Sequence, residues 1–253
     1  WEEFQESFFM ARDAGFSNIN IDLMSAIPEQ TYADWEKNLR TVAGLSPEHI
    51  SAYSLIIEEG TPFYEDNKLE ELLPSEEDEV LMYRMTEKIL NEYGYDKYEI
   101  SNYAKPRYEC RHNLGYWERR EYLGLGLGAS SLIAEHRFCN TDKMDVYIRL
   151  NKTVDPDGKK EESKKAVWEK AEEVSVLSVQ EQMEEFMFLG LRKTDGVSEK
   201  SFFETFGVQI DTVYGETIGK LEKERLLIKE KGQIRLTERG VDISNYVMSE
   251  FLF

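Results

Sequence analysis

The stretch from Cys110 to Ser131, CRHNLGYWERREYLGLGLGASS, holds the residue types best suited to chemistry. His112, Asn113, Tyr116 and Trp117 form a compact polar and aromatic cluster. A histidine in such a loop either hydrogen-bonds locally or ligates through a neutral imidazole. Leu and Gly then alternate from Leu123 to Gly128. On an extended strand that alternation leaves one face large and the other empty. The strand is then either a tightly packed barrel strand or one whose empty face is approached by a ligand or another backbone.

Other candidate groups carry less. Glu58 and Glu59 precede Gly60-Thr61-Pro62 and could be read as an acid and base pair. Neighbours on an extended chain point apart, so they read as loop charges. Glu76, Glu77, Asp78 and Glu79 read as a solvated helix start, where the helix dipole favours acids. His49 opens an apolar segment and reads as structural, and His136 has no setting like that of His112. The two cysteines, Cys110 and Cys139, cannot form a disulfide framework or a three- or four-cysteine metal site. Each reads as a small packed side chain.

The net charge of -19 argues against a nucleic-acid partner, because affinity for phosphate backbones comes largely from Lys and Arg. No run of about 18 apolar residues exists, so no transmembrane helix is expected. No signal-peptide pattern is visible, and a cytoplasmic location is the expectation. The chain opens on Trp1 within a helical pattern, which suggests the rear portion of a longer protein.

The elements that must position the central stretch alternate. A helix ends at Gly15, a strand covers Asn18 to Met24, and a second helix runs from Tyr32 to Ala43. Thr31 and Asp34 have the spacing of a capping box. A strand covers His49 to Ile57, a long helix Ser75 to Tyr93, and a short strand Tyr98 to Ser101. Strands separated by helices predict parallel βαβ units, with chemistry at the carboxyl ends of the strands. Asp22, Ser54, Glu99 with Ser101, and the Gly128 to Ser131 turn would then share a mouth.

Beyond it, Ser131 to Asn140 reads as a hairpin arm and Asp142 to Leu150 as a short helix. The charge-rich segment VDPDGKKEESKK from Val154 to Lys165 is a linker or mobile-loop candidate. Residues 151–178 are therefore a connecting segment between a first domain at 1–150 and a second at 179–253. The second reads as three helices, a hairpin turning at Lys231-Gly232, and a last helix from Glu238. That is the order of a winged-helix domain. Acidic residues outnumber basic ones in it, so a nucleic-acid-binding role is the least favoured reading.

The ordered strings NINIDLMSAIP, HISAYSLIIEEGTPFY, YEISNYAKP, RHNLGYW and EYLGLGLGASS together resemble one family. It is the radical-SAM family of oxygen-independent coproporphyrinogen III dehydrogenases and heme chaperones. The resemblance implies an α/β fold, the second half of a partial (β/α)6 TIM-like barrel, followed by a small winged-helix-like helical domain. It implies S-adenosylmethionine beside Asp22, with Met24, Ile56 and Ser130 lining that ligand. The family has Tyr-Gly-Leu-Pro where this chain has Ser25-Ala26-Ile27-Pro28, so Ala26 falls where a turn could need positive φ.

His112-Asn113-Leu114-Gly115-Tyr116 resembles the HNxxY motif that marks the heme chaperones. That match implies heme near His112, with the imidazole as axial ligand to the iron. Asn113 would orient the ring, Tyr116 and Trp117 would offer flat apolar surface, and Arg111, Arg119 and Arg120 would pair with propionates. The family's [4Fe–4S] cluster is bound by a CxxxCxxC motif that this sequence lacks, so the chain alone is expected to be inactive as a radical enzyme. The expected function is heme binding and delivery to an acceptor protein. The alternative is oxidative decarboxylation of coproporphyrinogen III. Strand edges left open by a partial barrel would favour self-association.

Overall fold

The computed structural model describes residues 1–65, 69, 71–151, 171 and 173–253. The connecting segment expected at 151–178 lies largely outside the described residues. The first half is built on α1 (Glu2–Asp13), β1 (Asn20–Ser25), α2 (Tyr32–Gly44), β2 (His49–Ser54) and the short α3 (Pro62–Glu65). There follow α4 (Glu76–Glu92), β3 (Asp96–Lys97), β4 (Asn102–Ala104) and α5 (Arg111–Trp117).

Local chemistry starts the helices where the residues demand it. The Thr31 hydroxyl accepts from the Asp34 amide and Asp34 accepts from the Thr31 amide, closing the capping box of α2. Ser75 accepts from the Asp78 amide at the start of α4, whose first turn is acidic throughout. Caps of this kind stabilise a helix by about 1 kcal/mol each.

The first sheet has strand order β1-β2-β4-β3. β1 and β2 run parallel, from Asn20 opposite His49 to Ser25 opposite Ser54. Alternation divides the sheet into two faces. Ile21, Ile50 and Ala52 point to a core with Trp35, Leu39 and Val42 of α2 and Met82, Met85, Ile89 and Leu90 of α4. The Trp35 indole donates to Thr86 Oγ1 at 2.9 Å, so its polar atom is satisfied within that core. Asn20, Asp22, Met24, Ser51 and Tyr53 alternate with those core residues and so lie on the opposite face, where Asn20, Asp22, Met24 and Tyr53 are exposed.

The third strand corrects the all-parallel expectation. Residues 98–101 turn back instead of extending, and β4 runs antiparallel to β2, with His49 opposite Ala104. The reason is Glu99. Its Oε1 accepts from the Ser101 amide at 3.1 Å and from the Asn102 side-chain amide, which folds the chain around its own carboxylate. Glu99 is only 1% exposed, and its Oε2 has no hydrogen-bond partner among the described residues.

Burial pushes the Glu99 carboxyl above its ordinary value. The folded chain therefore binds a proton that the unfolded chain has lost, and Glu99 lowers stability as pH rises above the ordinary carboxylate range. Glu99→Gln should remove that slope. Its stability relative to the unaltered chain, measured by urea unfolding, should improve between about pH 5 and about pH 8. A pH-independent difference would contradict the assignment.

The Leu–Gly segment also departs from expectation, because it is a pinned loop and not a strand. Gly126 and Gly128 have φ of 105° and 63°, which breaks the pleat. Side chains satisfy its backbone where a neighbouring strand would have done so. Asn140 Nδ2 donates to the Gly124 and Gly126 carbonyls, the Gly126 amide donates to Tyr147 Oη, and the Gly124 amide donates to Ser131 Oγ. A Cβ on Gly124 would lie 2.3 Å from the Ser130 carbonyl oxygen. The close approach that glycine permits here is by backbone.

A second sheet follows, β5 (Ser130–Ile133), β6 (His136–Cys139) and β7 (Glu173–Val176), antiparallel in that order. α6 (Met144–Asn151) lies between β6 and β7 in the chain. The last part comprises α7 (Val179–Gly190), β8 (Val197–Ser198), α8 (Glu199–Phe206), α9 (Ile210–Lys223), β9 (Leu227–Glu230) and β10 (Gln233–Leu236). It ends on α10 (Glu238–Asp242) and α11 (Ser244–Ser249), so the expected final helix is broken at Ile243. These elements enclose their own core, with Phe202, Tyr214, Leu221, Ile234 and Phe251 at its centre. Its sheet has order β8-β10-β9.

Candidate functional site

α5 is a seven-residue helix, so His112 and Tyr116 sit one turn apart on one face. Their ring centroids are 4.6 Å apart, edge to face. Tyr116 repeats that contact with Tyr122 at 4.7 Å. These three rings, Leu123 to Leu125, Ala129 and Ser130 line a hollow of about 480 Å³. That volume lies within the range of small-molecule sites, roughly 300–1,000 Å³.

The structure thus brings His112, Tyr116 and Ser130 to one place. His112 is exposed at the rim. Leu125 in the lining is 81% exposed, although its loop is fixed by the hydrogen bonds described above. Asn113 is half-buried, does not line the hollow and makes no hydrogen bond to the His112 ring among the described residues. Trp117 turns away: the Arg192 guanidinium lies over its ring at 4.4 Å.

Of the three arginines, Arg119 is committed elsewhere. It is 7% exposed, and it donates to Glu185 of α7 at 2.8 Å and to Glu135 in the β5–β6 turn at 2.7 Å. Glu185 also receives Arg137 at 2.6 Å. This buried cluster fixes the end of α5 against β6 and α7.

Asp22, Met24 and Ile56 lie at the sheet's open face and the loop beyond β2. The Asn20 side-chain amide donates to Asp22 Oδ1 at 2.6 Å, which leaves an exposed carboxylate with acceptor capacity for hydroxyl or amino groups. Met24 is 42% and Ile56 78% exposed, apolar surface that a flat ligand could cover. Ala26 has φ of 56° while buried. The turn does adopt the left-handed conformation, at a cost on the order of 1 kcal/mol for alanine.

A run of hydrogen bonds joins the two regions. Asn20 Oδ1 meets His49 Nδ1 at 2.6 Å, His49 Nε2 meets Tyr98 Oη at 2.7 Å, and the Cys110 amide donates to Tyr98 Oη at 3.2 Å. Cys110 is the N-cap residue of α5. Burial lowers the basicity of His49, against the opposing fields of Asp22 and Glu109. Burial also pushes the Tyr98 hydroxyl well above its ordinary range. His49 reads as structural in the sequence because it opens an apolar segment, and its partners lie 29 and 49 residues away, where no local pattern shows them.

The donor sets decide which groups fit. An exposed imidazole beside aromatic and aliphatic walls suits heme, and the Asp22 face suits a nucleoside carrying an amino acid group. An iron–sulfur cluster does not fit these residues. Among the described residues no three His, Cys, Asp or Glu side chains converge on a metal position. The Cys139 thiol is engaged by the Gly128 carbonyl at 3.0 Å.

Residues 177–243 match the family described as the HemN C-terminal domain. Over 242 residues the chain is 36% identical to heme chaperone HemW of Lactococcus lactis, covering 95% of this chain and 60% of that protein. It is 37% identical over 250 residues to HemW of Bacillus subtilis, covering 97% and 62%. The chain thus spans about three fifths of the length of these relatives. The solved structure of the Escherichia coli radical SAM enzyme coproporphyrinogen III oxidase, HemN, superposes with a TM-score of 0.74 at 18% identity. That match covers 99% of this chain and 58% of HemN, and it shows a shared α/β fold.

Proposed function

Because the chain belongs to the HemN-like radical-SAM family that includes the HemW heme chaperones, we propose that it binds heme at His112 and delivers it to an acceptor protein. The observation that carries this is the exposed His112 ring at the rim of an aromatic hollow. His112 would ligate iron, and Tyr116 would stack on the macrocycle edge. Arg111 would be the partner for a propionate, since Arg119 is held by Glu135 and Glu185 and the exposed Arg120 pairs with Glu118 at 2.5 Å.

Asp22 would hold S-adenosylmethionine at its ribose or amino group, with Met24 and Ile56 in apolar contact, while Ser130, expected beside the same ligand, lines the His112 hollow instead. When bound, that cofactor with a [4Fe–4S] cluster supplies radical chemistry, and the cluster's ligands are not among this chain's residues. A barrel part at 1–150, a connecting segment at 151–178 and a winged-helix-like part at 179–253 form the proposed domain plan. Among the described residues no helix is long and apolar enough to cross a membrane, and a cytoplasmic place for heme handling is part of the reading. The exposed edge of β1 is the proposed route of self-association.

The test is delivery. The chain loaded with hemin and mixed with an apo-heme protein should lose its Soret band as the acceptor gains one. No turnover of coproporphyrinogen III is expected even from the full-length protein with its cluster cysteines present. Heme that never leaves the chain, or coproporphyrinogen consumed by the protein, would overturn this reading.

A further inference from the structure

We propose that His49 is a positioning residue that couples the Asp22 carboxylate to the start of the helix bearing His112. The inference rests on the heme and S-adenosylmethionine reading above. Both ends of the hydrogen-bond run are one-way. The Cys110 backbone N–H can only donate, and an ionised Asp22 can only accept. The groups between them are therefore oriented. Asn20 turns its amide nitrogen to Asp22, so its oxygen faces His49. His49 must then donate from Nδ1, and its Nε2 accepts from the Tyr98 hydroxyl. The Tyr98 oxygen in turn accepts from the Cys110 amide. Ser51 adds a second donor to Asn20 Oδ1 at 3.3 Å and holds the same orientation.

A histidine that served burial alone would need any two partners. This one links two separate ligand faces, with every donor aimed towards Asp22. A ligand that draws on the Asp22 carboxylate strengthens the pull along the run and reaches the N-cap of α5. Heme at His112 shifts that cap and acts back on Asp22, because coupling between sites is reciprocal.

The test is a heme titration by Soret absorbance, with and without saturating S-adenosylmethionine. It is made on the unaltered protein, His49→Ala and Tyr98→Phe. The readout is the ratio of the two heme affinities, which a general loss of affinity does not imitate. S-adenosylmethionine should change heme affinity at least about fivefold in the unaltered protein, the lower end of usual coupling, and less than about twofold in the variants. Tyr98→Phe removes only a hydroxyl, so it keeps the test valid if His49→Ala fails to fold. Binding of S-adenosylmethionine is read separately by equilibrium dialysis. With it bound, a ratio unchanged in Tyr98→Phe, or near unity in the unaltered protein, overturns the inference alone; if it does not bind, the Asp22 reading fails and the inference falls with it. Absence of any Soret change in the unaltered protein overturns the heme reading, and the inference falls with it.

Discussion

Glu185→Ala should destabilise the chain by about 3–5 kcal/mol, the usual consequence of removing one partner from a buried ion pair. Glu185 is 5% exposed, and its two oxygens receive Arg119 and Arg137 separately. Alanine would leave the Arg119 guanidinium buried, with only the half-exposed Glu135 beside it. Glu185→Gln keeps the shape and one acceptor oxygen, so its loss should be smaller. Urea unfolding followed by circular dichroism reads both. A loss below about 1 kcal/mol for Glu185→Ala would mean that Arg119 finds water, as exposed pairs do. Because Arg119 closes α5, the variant should also loosen the His112 hollow and weaken heme binding.

The second large effect is at His112. Alanine there leaves the hollow's walls in place, since Tyr116 and Tyr122 still pack edge to face. Heme would keep its apolar contacts and lose its iron ligand. The expected result is at least a tenfold fall in affinity, about 1.4 kcal/mol or more. His112→Ala should leave the unfolding midpoint within the scatter of surface substitutions, about 0.5 kcal/mol, because the ring is exposed.

Much of this was legible in the residues. The Thr31–Asp34 box, the Ser75 cap and the acidic first turn of α4 are local signals, read by residues within one turn of each other. The helices and hairpin of the last part were legible for the same reason. Where sequence reasoning failed, a side chain overrode the backbone pattern. Glu99 reads as part of a strand, yet its carboxylate gathers two donors and reverses the chain. Leu123 to Gly128 has the period of a strand, but Asn140, Tyr147 and Ser131 capture its amides and carbonyls as a loop. Their separation in sequence hides them. β8 is two residues long and exists only through its pairing with β10. The hydrogen-bond run through His49 joins four segments, and no local pattern announces it.

The central claim is that His112 ligates heme iron in the hollow beside Tyr116. Resonance Raman and electron paramagnetic resonance spectra of the hemin-loaded chain, compared with those of His112→Ala, test it most directly. The account predicts a histidine-ligated ferric heme in the unaltered chain and its loss in the variant. Identical spectra from the two proteins would contradict it.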